Sequence, residues 1–115
     1  MEIAIDVAGA GAVAETAELR DWLHEARIRG VEDLRQGEKL PGPGDQGPEL
    51  LALLTVILAG PAVVELVRSI HRYIEARTPA VTITVKAGDR TVTIDSRNPA
   101  SIDELVSQAE RLAKS

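Results

Sequence analysis

Leu50 to Val64 is an unbroken run of uncharged residues, and it limits the possible folds more than any other stretch. As one helix it would reach roughly 22 Å at 1.5 Å per residue, short of the ~30 Å hydrocarbon core of a bilayer. Gly60-Pro61 also divides it, because a proline inside a helix lacks a donor and clashes one turn back. The run therefore predicts two helices. The first spans Pro48 to Ala59 and is apolar nearly all round. The second opens at Pro61, in the first turn where proline is tolerated. Its stripe of Val63, Leu66, Val67, Ile70, Tyr73 and Ile74 faces a core.

The flanking segments read more simply. Ile3, Ile5 and Val7 alternate with Glu2, Ala4 and Asp6, the period of a half-buried strand. This opening has neither the basic nor the apolar region of a signal peptide, so a cytoplasmic location is expected. Leu19, Trp22, Leu23 and Ala26 mark an amphipathic helix over about Glu15 to Arg27. A short strand is expected near Val31 to Arg35, although the three-residue step from Val31 to Leu34 breaks period 2. Glycines and prolines from Gly37 to Glu49 predict a long loop. Val81–Lys86 and Thr91–Asp95 alternate cleanly around Ala87-Gly88-Asp89-Arg90, a β-hairpin. Ser101 and Glu104 fit a capping box before a helix buried through Ile102, Leu105, Val106, Ala109 and Leu112. The expected order is β-α-β-α-α-β-β-α. It predicts one α+β domain over residues 1–115, a two-layer sandwich whose mixed sheet of about four strands carries helices on one face.

Composition narrows the chemistry. The 115 residues contain no cysteine, which removes disulfides and thiolate sites. Thirteen Lys and Arg against eighteen Asp and Glu give a net charge of −5, so nucleic acid is not an expected partner. Gly9-Ala-Gly-Ala-Val-Ala14 has the GxGxxA spacing of a dinucleotide loop. Glu15 and Glu18 would oppose a pyrophosphate at that helix start, and the chain is short for two mononucleotide halves. His24 and His71 lack a third ligand or HExxH spacing. Ser69 and His71 stand two apart on a helix and point away from each other. No catalytic residue, cofactor or metal is therefore expected. Arg68 and Arg72, with His71 and Arg77 nearby, form a small basic patch that Glu65 and Glu75 could neutralise.

Taken together, Glu2–Val7, Glu18-Leu-Arg-Asp-Trp-Leu23, Pro41-Gly-Pro-Gly44, Leu50–Ala59, the hairpin and the Leu105–Leu112 helix resemble the effector-associated constant component family of bacterial conflict systems. That resemblance implies a non-enzymatic adaptor encoded beside caspase-like or trypsin-like effectors and NTP-dependent regulators, acting by protein–protein contact. Leu50, Leu54, Ile57, Val64, Arg68 and Arg72 are the expected interaction residues, on the view that the apolar middle exceeds what a small sheet needs. Two other readings stay open: a membrane-peripheral sensor using residues 50–74, and a small nucleotide-binding regulatory domain. Self-association is a further expectation, since hairpin edges and apolar helices both invite it.

Overall fold

The computed structural model describes residues 1–37, 52–77, 81–95 and 101–113. Along the chain run β1 (Glu2–Gly9), α1 (Ala12–Ala26), β2 (Val31–Gln36), β3 (Leu53–Leu58), α2 (Ala62–Arg77), β4 (Val81–Ala87), β5 (Arg90–Asp95) and α3 (Ile102–Ala113). The strands form one sheet in the order β2-β3-β1-β4-β5, and every neighbouring pair is antiparallel. In the unit β1-α1-β2 the strand β3 lies between its two strands, and in β3-α2-β4 the strand β1 does. This interleaving is the split β-α-β arrangement of ferredoxin-like folds, extended here by β5 and α3.

The α+β class and the packing of helices against a sheet agree with the sequence reading, and three details do not. The sheet has five strands rather than four, it is antiparallel rather than mixed, and Leu53–Leu58, within the segment expected as a helix up to Ala59, form the strand β3. The physical reason lies in burial on both sides. Leu54, Val56 and Leu58 point into the helix side and are buried, while Leu53 and Ile57 give the other side apolar residues too. A strand without polar alternation has no period-2 signature and cannot be told from a buried helix by pattern. Its β-branched Thr55-Val56-Ile57 was the signal that pointed to a strand.

The irregular step in β2 also has a cause. The β2–β3 register slips between Val31 and Asp33, so Glu32 sits in a bulge. That extra residue returns Val31 and Leu34 to the same, helix-facing side, where both pack against the core. The hairpin is as expected: Gly88, at φ +62°, takes the first central position of a two-residue loop, where a type II′ turn needs glycine.

A single cluster joins Ile3, Ile5 and Val7 of β1, Val81, Ile83 and Val85 of β4, and Val92 and Ile94 of β5 to Leu19, Leu66, Ile70 and Leu105 of the three helices. The helix layer therefore covers one face of the sheet. The other face carries Glu2, Asp6, Thr55, Ile57, Thr82, Thr84, Lys86, Thr91 and Thr93, all exposed or half-exposed. Its charges are largely paired, Lys86 with Asp6 and Arg35 with Asp33 at 2.6 Å.

The turns at one end of the sheet meet at Gly30. Its carbonyl accepts the Ala59 amide at 2.9 Å, its φ is +96°, and a Cβ there would stand 3.0 Å from the Ala62 side chain. Left-handed strain and crowding act in the same direction. Gly30→Ala is expected to destabilise the fold by about 2 kcal/mol, read as a lower urea midpoint at unchanged slope.

Candidate interaction surfaces

The residues singled out by sequence do not form one patch. Leu54 is fully buried between β1 and β2, so it belongs to the core and offers no surface in this fold. Ile57, three residues on, projects from the opposite side of the same strand and is 38% exposed. Leu50, like most of the expected 37–49 loop, lies outside the described residues. Val64, Arg68 and Arg72 run at i, i+4 and i+8 along α2, off its buried stripe of Val63, Val67, Ile70 and Ile74, but Val64 is half-buried and packs against the core, Arg68 is half-exposed, and Arg72 is open to solvent. Two surfaces result, separated by the core: an open sheet face around Ile57, and the outer side of α2.

The outer side of α2 is electrostatically mixed. Arg68 stands 3.9 Å from Glu65, with its Nε buried and unbonded, and His71 Nδ1 lies 3.1 Å from Glu75. Arg77 turns instead to Glu18 of α1 at 3.2 Å. Arg72 is exposed and has no ionic partner among the described residues. The expected basic patch is thus mostly neutralised within the protein, with Arg72 as its free cation.

Sequence reasoning missed the polar seam that locks α1 to α2. The indole N–H of Trp22 donates to both the carbonyl and the hydroxyl oxygen of Ser69, each at 3.1 Å. The Tyr73 ring meets Trp22 edge-on, with centroids 5.6 Å apart at 73°. Its hydroxyl donates to the Glu15 carboxylate, and Arg77 lies 5.8 Å over its ring. Burial, then the hydrogen bond to Glu15 and the charge of that carboxylate, raise the Tyr73 pKa above its ordinary value near 10, with Arg77 opposing. The sole tryptophan and sole tyrosine of the chain were the available clue, since a buried Trp N–H or Tyr O–H usually finds a hydrogen-bond partner. Ser69 is buried and held by Trp22, and forms no pair with His71 two residues on.

Of the Gly9–Ala14 segment only Ala10 and Gly11 form a turn: Gly9 ends β1, and Ala12–Ala14 already belong to α1, with Ala12 half-buried against the core. Gly11 caps α1 at φ +72° with no side-chain cap, and Glu15 in the first turn is engaged by Tyr73. Among the described residues no cluster of three potential metal ligands occurs, and no helix is long and apolar enough to cross a membrane. The membrane-peripheral reading drew on apolar helices over residues 50–74, and within that range Leu53–Leu58 is the sheet strand β3 while α2 packs its apolar stripe into the core.

Comparison with known proteins gives one finding of substance. The family model described as Effector Associated Constant Component 1 matches residues 8–113, from the end of β1 to the end of α3. No curated protein matches the chain, and no solved structure does.

Proposed function

The chain belongs to the Effector Associated Constant Component 1 family, and from that premise we propose that it is a non-enzymatic adaptor. In this reading it couples a protease-like effector, caspase-like or trypsin-like, to an NTP-dependent regulator in a bacterial conflict system, by protein–protein contact in the cytoplasm. The family match is the observation that carries the proposal, because it ties the chain to effectors. The geometry supports it in a second way. A coupling component needs two surfaces that do not compete, and the open sheet face and the outer side of α2 lie on opposite sides of one core.

Two substitutions separate these surfaces. Ile57→Lys places a cation between Glu2 and Asp33, its neighbours across β1 and β2, so the fold should tolerate it. Arg72→Glu reverses the free cation on α2. Each variant is expected to weaken binding to one of the two partners at least about tenfold, an ordinary loss for a central contact, and to leave the other unchanged. Isothermal titration calorimetry with the purified effector and regulator provides the readout. Unaltered affinity for both partners in both variants would remove these surfaces from the account.

A further inference from the structure

The two edges of the sheet are built differently, and the difference points to a partner. Edge strands expose unpaired backbone groups, and proteins that remain apart usually blunt them. On β2 the blunting is visible. Glu32 forms a bulge, and the outward Leu34 amide donates to the Asp33 side chain at 2.9 Å. Charged Glu32, Asp33 and Arg35 line the strand.

β5 has no bulge, and its charged residues, Arg90 and Asp95, stand only at its two ends. Its register with β4 is regular from Thr82↔Asp95 to Ala87↔Arg90. The two-residue loop makes Ala87 and Arg90 a hydrogen-bonded pair, so Val92 and Ile94 also bond inward and the backbone groups of Thr91, Thr93 and Asp95 face outward. Thr91 and Thr93 are exposed, uncharged and β-branched, and Arg90 is drawn away to the Arg111 carbonyl of α3 at 2.9 Å.

We infer that β5 is a self-association edge, pairing antiparallel with β5 of a second copy of this chain to form a continuous ten-stranded sheet. The side chains select the occupant. The alternation of faces allows only registers in which residues of like parity meet. A two-fold axis at Thr93 is the register that uses all three outward-facing residues. It sets Thr93 against Thr93, Thr91 against Asp95, and Val92 against Ile94 of the second copy. On the open face two exposed, uncharged threonines then meet at the axis, a favourable cross-strand pair, and no like charges are opposed; Val92 and Ile94 are already buried beneath the chain's own helix layer. The inference does not depend on the adaptor reading.

The absence of cysteine makes the test direct. At a concentration on the order of 100 µM, where micromolar association is nearly complete, light scattering is expected to give twice the 12.3 kDa chain mass. Thr93→Cys should cross-link to itself on mild oxidation, because Cα atoms of an opposed pair, about 5.5 Å apart, fall within disulfide range. Thr84→Cys, on β4 of the same face, should not. Thr93→Pro removes an outward amide without touching the β4 ladder, and Thr93→Lys opposes two like charges at the axis. Both should weaken association at least about tenfold with circular dichroism unchanged. A wild-type chain that stays monomeric would overturn the inference, as would a dimer that survives both substitutions or cross-links equally through Thr84→Cys.

Discussion

Leu54→Ala is expected to cost about 3 kcal/mol or more of stability, while Ile57→Ala costs well under 1 kcal/mol. The two residues are separated by three positions in β3, and this spacing makes the pair diagnostic. On a helix, residues three apart share a face and would respond alike. On a strand they lie on opposite faces. Leu54 is fully buried beneath the helix layer, opposite Ile5 and Gln36, whereas Ile57 is open to solvent. Truncating Leu54 leaves a cavity at the centre of the sheet, which its surroundings can only partly fill. Truncating Ile57 removes atoms from the open face, where the side chain is 38% exposed, and encloses no cavity. Urea unfolding of the two variants gives the comparison. Equal losses would contradict the strand.

The second large effect concerns Tyr73. Tyr73→Ala should destabilise by roughly 4 kcal/mol, the usual cost of removing a buried aromatic ring. Tyr73→Phe keeps the ring packed on Trp22 and loses only the bond to Glu15, for roughly 1.5 kcal/mol. The two differ again in alkali. The folded state holds the Tyr73 proton more tightly than the unfolded chain, whose phenol titrates near 10. Between that pH and the higher folded value, the native state binds more protons than the unfolded one. The stability contributed by the neutral phenol is therefore complete below pH 10 and is lost as pH rises, by about 1.4 kcal/mol per unit. Tyr73→Phe should lack this component, so the stability gap between wild type and variant should shrink above pH 10. Tyr73 is the only tyrosine, so its ultraviolet titration reports on it alone. A phenol that titrates near 10 in the folded protein would remove the seam from the account.

The legible parts of the fold were those in which one side of an element meets water. β1, β4 and β5 alternate because threonines and charges occupy the open face, and α2 and α3 show their stripes because their outer sides are charged. β3 was misread because Leu53 and Ile57 supply apolar residues to the open face, erasing the alternation. With β3 taken as a helix, β2 lost its hairpin partner, and the interleaved topology could not be recovered. A strand is expected at β2 and found there; the bulge at Glu32 only blurred its alternation, since one inserted residue shifts every later side chain to the other face.

The candidate surfaces were half legible for the same reason. Leu54 and Ile57 entered the same expected patch only because a helix would have aligned them. Val64, Arg68 and Arg72 remained together, since the periodicity of α2 was read correctly. The Trp22–Ser69–Tyr73–Glu15 seam joins residues up to 58 positions apart in the chain, a pairing that no local pattern encodes.

Co-expression of the chain with a protease-like effector and its regulator, followed by gel filtration with light scattering, tests the adaptor role most directly. The account predicts a shared peak heavier than any component alone, containing this chain together with both partners. Elution of the chain apart from effector and regulator at every ratio tried would contradict it.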